Sequence, residues 1–373
     1  MLKNHSILCI TPPHMLREII NNGSPSQRDL ALLTLTMSEQ MRGQRRIMRE
    51  IMGAMTFAIA GNKERIVYDA KFGSQLPGTP VRHEGDPATG DAAVDEAYDG
   101  SGITYDLFSA VFNLNSIDNN GMRLDSTVHY QKGYDNAFWD GKQMVYGDGD
   151  ENLPEAQRLF NRFTAALDVI AHELTHGVTQ FEANLAYWDQ SGALNESMSD
   201  VFGSLVKQYQ RQETADQANW IIGEGLFTSN VNGVGIRSMK APGTAYDDPV
   251  LGKDPQPAHM YNYVKTIEDN GGVHINSGIP NHAFYVAATE IGGYAWEKAG
   301  QIWYKTLTDK LTDRATFQDA ANKTFEAAGE LYGSGSLEQN AVKTGWAEVG
   351  ITIGGAAPTG CLTMILRALG LAK

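Results

Sequence analysis

Residues 167–178, Leu167-Asp-Val-Ile-Ala-His172-Glu173-Leu-Thr-His176-Gly-Val178, carry the pattern from which the rest of the chain can be read. Apolar residues at Phe160, Phe163, Leu167, Ile170, Leu174 and Val178 recur at intervals of three to four, which predicts one long helix with a buried face. On that helix His172 and His176 stand one turn apart on one side and can share a single metal ion. Glu173 points to another side, toward the open position of the metal, where a carboxylate can take a proton from the water that the metal holds and acidifies.

Two histidines make half of a tetrahedral site. A second helix, predicted from Asn195, carries Glu196 and, four residues on, Asp200, so both carboxylates share a face. Glu196 can supply an oxygen ligand, and His-His-Glu with a fourth place left for water is one of the established catalytic zinc sets. Asp200 suits the role of accepting the remaining ring N–H of a ligand histidine and fixing its tautomer. The alternative, two surface histidines with a glutamate for solubility, leaves these surroundings arbitrary.

Working outward, the texture of the chain changes twice. Residues 1–50 contain the Pro12-Pro13 turn and an Arg-rich, exposed helical stretch at 42–49, read here as a detachable N-terminal segment. Residues 51–155 read as β-rich, with strands predicted at 103–112 and 126–130. A hairpin is predicted across Asp140-Gly141, between Ala137-Phe138-Trp139 and residues 143–146. Residues 156–352 read as helical, with further helices predicted at 195–209, 280–291, 296–311 and 317–331. A last helix opens on a capping box from Ser336 to Gln339 and stops near Gly350. A tail, 353–373, adds Leu362, Ile365, Leu366, Leu369 and Leu371. The expected class is α+β, a β-rich N-terminal lobe and a helical C-terminal lobe with the metal helix at the floor of the cleft between them.

Composition excludes several functions. A formal net charge of -14 argues against binding nucleic acid or an anionic membrane, both of which need a basic surface. Cys9 and Cys361, at opposite ends, cannot build a disulfide framework or a cysteine-based zinc knuckle. Pro12 and Pro13 interrupt the apolar start, which makes a poor secretory signal, and no apolar run reaches the about 20 residues that span a bilayer.

The motifs together resemble the thermolysin family of metallopeptidases, from about residue 60 to about residue 350. The resemblance rests on His172-Glu173-x-x-His176 and Gly192-Ala-Leu-Asn-Glu196-Ser-Met-Ser-Asp200, with nineteen residues between His176 and Glu196. It extends to Asp269-Asn-Gly-Gly-Val-His274-Ile-Asn-Ser277-Gly278. It implies a two-lobed zinc endopeptidase acting on peptide and protein substrates as a monomer. It makes His274 and Tyr187 donors to the oxyanion, with Asp269 orienting His274; by itself, without the flanking match, His274 reads as a core or loop histidine. Arg237 matches the residue that binds a substrate carbonyl, and Asn136-Ala137 the edge strand on which substrate backbone pairs, a mode that does not demand a sequence. Phe160, Phe163, Val169 and Ile236 match an apolar pocket, implying a hydrophobic residue after the cleaved bond, and read equally as core.

Two departures from the family follow. Asp168 and Glu224 match positions that hold structural calcium, but Lys207 stands where a carboxylate is expected, so zinc without obligatory calcium is the expectation. The short N-terminal segment with Pro12-Pro13 resembles the protealysin subgroup, which implies an inhibitory propeptide and self-processing. Cys9, just before it, raises the alternative of a thiolate on the open zinc position. The family is usually secreted, while the poor signal leaves a cytoplasmic precursor or unconventional export as the other reading. Two rival functions would leave different marks in the sequence. An aminopeptidase with the same ligands would carry a Gly-x-Met-Glu-Asn run, and none occurs. A zinc-bearing binding module would have lost Glu173, Tyr187 or His274, and all are present.

Overall fold

A computed structural model describes residues 8–51 and 63–355, with side chains described from residue 9 to 40 and from 63 onward. The chain enters through a short strand, β1 (Leu8–Cys9), and two helices, α1 (Pro13–Asn22) and α2 (Pro25–Ile51). Pro12 is extended and Pro13 takes the first helical position, where its missing N–H costs nothing.

Six strands form one sheet in the order β1-β5-β6-β4-β2-β3, with β2 (Arg65–Asp69), β3 (Thr79–His83), β4 (Leu124–Val128), β5 (Ala137–Trp139) and β6 (Met144–Tyr146). β2, β4 and β6 run parallel to one another; β3, β5 and β1 are antiparallel to their neighbours. The hairpin between β5 and β6 turns at Asp140, whose Oδ1 accepts from the N–H groups of Lys142 and Gln143. β1 lies on the outer edge, Cys9 opposite Phe138.

The strand predicted at 103–112 is instead the second half of a helix, α3 (Ala92–Phe112). Ile103, Tyr105 and Leu107 alternate and imitate a strand, but Asp91 caps the helix a dozen residues earlier, accepting from the N–H groups of Ala93 and Val94. Gly100 and Gly102, which weaken a helix, are present for packing. A side chain at Gly100 would come within 2.5 Å of Ile170, and one at Gly102 within 2.1 Å of the Arg65 guanidinium.

α4 (Leu167–Phe181) also begins later than the apolar spacing predicted. Phe160 pairs with Phe227 in an isolated bridge and Phe163 opens a short 3-10 turn, so both flank the helix rather than continue it. α4 packs between α3 and α5 (Asp189–Arg211), and α5 starts before the expected Asn195. Here too a glycine sets the spacing: a Cβ on Gly203 of α5 would meet the Asp168 carbonyl at 2.7 Å.

β7 (Ile221–Ile222) and β8 (Arg237–Ser238) pair beyond α5. The helical lobe closes with α6 (Asp269–Asn276), α7 (Gly278–Ile291), α8 (Ala299–Asp309), α9 (Phe317–Tyr332) and α10 (Leu337–Glu348). Ser336 caps α10 by accepting from Gln339 N–H, but the Gln339 side chain reaches the N–H of Gly335 rather than closing the box on Ser336. Among the described residues no helix is long and apolar enough to cross a membrane. The tail from residue 356 onward, Cys361 with it, and the junction at 52–62 lie outside the described residues.

Candidate active site

α4 and α5 cross so that His172, His176 and Glu196 converge, their ligand atoms all within 4.8 Å of one another and all three side chains fully buried. Glu196 Oε2 lies 3.5 Å from His172 Nε2, and Glu196 Oε1 lies 3.4 Å from His176 Nε2. The far side of each imidazole is fixed. His172 Nδ1 is 2.8 Å from Asp200 Oδ1, and His176 Nδ1 is 2.8 Å from Asn195 Oδ1 and 2.9 Å from Ser199 Oγ.

A cation explains this arrangement. His172 Nε2, Glu196 Oε2 and Glu173 Oε1 are shut off from solvent with no hydrogen-bond partner among the described residues. A buried polar atom without a partner is costly, and one ion between two imidazoles and a carboxylate satisfies the first two at once. The donor set, two nitrogens and one oxygen, fits zinc.

Glu173 is also fully buried, and its Oε2 accepts from the N–H of Trp139 on β5 at 3.1 Å. Burial pushes its carboxyl well above the ordinary carboxylate range, with Glu196 adding to the shift and His172 opposing it. On the opposite side, Tyr187 hydroxyl donates to Glu196 and lies 3.1 Å from His274 Nε2. Asp269 holds His274 twice, Oδ1 at 2.6 Å from Nδ1 and Oδ2 accepting the His274 N–H at 2.9 Å. It can do so because residues 269–272 all adopt left-handed backbone, with φ from 50° to 86°. Gly271 and Gly272 supply part of that conformation, and a Cβ on Gly271 would meet the backbone of Asp189 at 2.9 Å. Burial lowers the His274 pKa and the charges of Asp269 and Glu196 raise it; the carboxylates win, so the pKa lies above its ordinary value.

Asp200 is the hub behind the ligands. Besides His172 it accepts from Arg237 Nε at 2.8 Å, Arg237 Nη2 at 2.7 Å and Asn281 Nδ2 at 2.8 Å. Burial would raise its pKa, but Arg237 and His172 outweigh it and hold the carboxyl down at about 2. Arg237 thus does not simply face the cleft. Its Nη1 alone remains for the segment that lies there, at 3.3 Å from the Ile10 carbonyl. Phe160, Phe163, Val169 and Ile236 are all buried in the main core cluster, which also contains Ile10.

The cleft is filled by the chain's own N-terminus. β1 adds to the edge of β5, Ile10 N–H donates to Ala137 carbonyl at 3.2 Å, and Thr11 N–H donates to Asn136 Oδ1 at 2.9 Å. The Cys9 carbonyl lies 2.9 Å from His274 Nε2. The Cys9 side chain packs with Tyr130, Tyr134, Phe138 and Val145 and is not in the group that could hold a metal.

At the calcium-matching positions Lys207 Nζ lies 2.7 Å from Asp168 Oδ2 and 3.8 Å from Glu224 Oε2, and donates to the Ile221 carbonyl. Sequence reasoning missed Asn195, Ser199 and Asn281. Asn195 had a local signal, since it precedes Glu196; Asn281 lies 81 residues from Asp200 and had none.

Comparison with known proteins places these features in a family. Residues 39–180 match the model of the thermolysin metallopeptidase catalytic domain, and residues 183–351 that of its alpha-helical domain. The chain is 50% identical to an extracellular metalloprotease of Pectobacterium carotovorum subsp. carotovorum, over 94% of this chain and 99% of that protein. It is 48% identical to Protease PrtS of a Photorhabdus species, over 94% of each. The solved precursor of protealysin, a metalloproteinase from Serratia proteamaculans, superposes with a TM-score of 0.83 at 53% identity, covering 92% of this chain and all of that one.

Proposed function

The chain belongs to the thermolysin family of metallopeptidases, hydrolases that cut within peptide chains, and we propose that it is a zinc-dependent neutral endopeptidase made as a self-blocked precursor. One observation carries this reading: His172, His176, Glu196, Glu173 and His274 converge where a peptide segment presents a carbonyl.

His172, His176 and Glu196 would hold the zinc, which when bound supplies Lewis-acid chemistry, acidifying a water and polarising a carbonyl. Glu173 has one oxygen fixed by Trp139 N–H and the other, Oε1, available to take a proton from the attacking water and pass it to the departing nitrogen. His274 Nε2 and Tyr187 hydroxyl are the donors for the carbonyl oxygen as it gains charge, and Asp269 keeps His274 aimed. Arg237 Nη1 takes the next carbonyl, while Ala137 carbonyl and Asn136 Oδ1 take successive N–H groups. These contacts read backbone, so choice of substrate falls to the apolar wall of Phe160, Phe163, Val169 and Ile236. It favours a hydrophobic residue just after the cleaved bond.

Residues 1–50 serve as the propeptide, 51–155 and 156–352 as the two lobes, and 353–373 as a tail. Lys207 carries the positive charge that calcium would bring, so calcium is dispensable. The names of the extracellular relatives support export of the enzyme. The test is Glu173→Ala: zinc content is retained while hydrolysis of casein and loss of the N-terminal segment both fall by at least about a thousandfold. Retention of hydrolysis in the zinc-loaded variant would refute the role of Glu173; lack of hydrolysis in the parent would favour a binding module.

A further inference from the structure

We propose that the Cys9–Ile10 peptide bond is seated as a scissile bond, so that the N-terminal segment is a slow substrate of its own cleft and not merely a plug; this rests on the peptidase reading above.

The register is fixed by four backbone contacts that succeed one another along the segment. Cys9 carbonyl faces His274 Nε2, Ile10 N–H donates to Ala137 carbonyl, Ile10 carbonyl accepts from Arg237 Nη1, and Thr11 N–H donates to Asn136 Oδ1. The carbonyl that faces His274, whose Nε2 is itself 3.6 Å from Glu196 Oε2, belongs to Cys9, and the nitrogen that would depart belongs to Ile10. Ile10, the residue after that bond, is completely buried in the cluster that contains the pocket residues. Cys9 turns its side chain into a different apolar cluster. Because side chains alternate along a strand, a shift by one residue would exchange these environments and leave the Thr11 hydroxyl or the Cys9 thiol where Ile10 is now buried.

The chemistry is hydrolysis. One water is consumed, the C–N bond of Cys9–Ile10 breaks, and a C–O bond forms. Cys9 ends as a carboxylate and Ile10 as an ammonium group, both protons of the water ending on the nitrogen, carried there in turn by Glu173. The cut is slow because the products are not free to leave. Downstream of Ile10, His14 Nε2 lies 3.1 Å from Tyr246 hydroxyl, Gln27 donates to the Gln157 carbonyl, Asp135 N–H donates to Thr34 Oγ1, and Ser38 Oγ lies 3.1 Å from Tyr134 hydroxyl. Once cut, the four contacts are divided between two pieces and the strand no longer acts as one ligand. Cutting Cys9–Ile10 therefore loosens the segment's hold, and inhibition ends when the piece that begins at Ile10, which keeps three of the four contacts, is released.

The test follows the zinc-loaded full chain by peptide mapping in water enriched in oxygen-18, beside casein hydrolysis and the Glu173→Ala variant. A new N-terminus at Ile10 and a heavy oxygen on the Cys9 carboxylate, appearing ahead of casein products and absent in Glu173→Ala, are expected. In a second arm, a synthetic peptide of residues 6–14 is titrated into zinc-loaded Glu173→Ala freed of its N-terminal segment by an added protease. The same peptide with Ile10→Asp should bind at least about tenfold more weakly. Casein hydrolysis with the segment recovered uncut at Cys9–Ile10, or equal binding of the two peptides, overturns the inference and leaves the peptidase standing. No casein hydrolysis by the parent overturns both.

Discussion

Asp200 and Arg237 form a two-point ion pair, 2.8 Å and 2.7 Å, in which both side chains are almost fully shut off from water, and the same carboxylate steadies His172. Metal binding and peptide binding are therefore joined through one residue. Asp200→Asn leaves the guanidinium buried without its counter-charge and replaces the carboxylate that sets the His172 tautomer by a weaker amide acceptor. A loss of about 3–5 kcal/mol of stability is expected, with zinc affinity down about 10–100-fold. Denaturant titration and chelator competition measure the two effects; unchanged zinc affinity would separate the residue from the metal.

His274 is expected to act on the reaction and not on the ion. In His274→Ala, freed of its N-terminal segment, kcat should fall about 10²–10³-fold with little change in KM and no change in zinc content. A rise in KM alone would instead make it a binding residue.

Lys207 gives a prediction about calcium. Chelating calcium should leave the melting temperature of the parent unchanged, because the ammonium already neutralises Asp168. Lys207→Ala strands that buried carboxylate and should cost about 3–5 kcal/mol. A parent that melts lower in a calcium chelator would contradict the substitution of lysine for the ion.

His129 sets a stability window in pH. Its hydrogen bond to Asp148, helped by Asp91 and opposed by burial, carries its pKa from 6.5 up to about 9. A folded pKa above the unfolded one stabilises fully below about 6.5 and loses the effect as pH rises through about 9. With partial solvent screening the loss is about 2 kcal/mol. His129→Gln should flatten the alkaline decline of the melting temperature relative to the parent; parallel curves for the two would remove His129 as its cause.

What could be read from the sequence was what local spacing encodes. The convergence of His172 with His176 follows from one helical turn, and the β5–β6 hairpin from Asp140-Gly141. What could not be read depended on partners far along the chain. α3 looked like a strand because its glycines are explained only by Ile170 and Arg65, which lie outside it. Phe160 kept the helical interval but is claimed by Phe227, 67 residues on. Asn281 and Arg237 meet Asp200 only through the fold. Pro12-Pro13 announced a turn, yet nothing local said that the residues before it would join the sheet.

The edge position of β1 has one more consequence. Under the proposed function the segment departs, and the backbone of β5, Ala137 to Trp139, is then left without a strand on that side. Unpaired apolar edges are the templates on which chains aggregate. Through folding and storage the segment works as a sheath over that edge. Under the proposed function, the same bare edge would serve to pair with the backbone of an extended substrate chain.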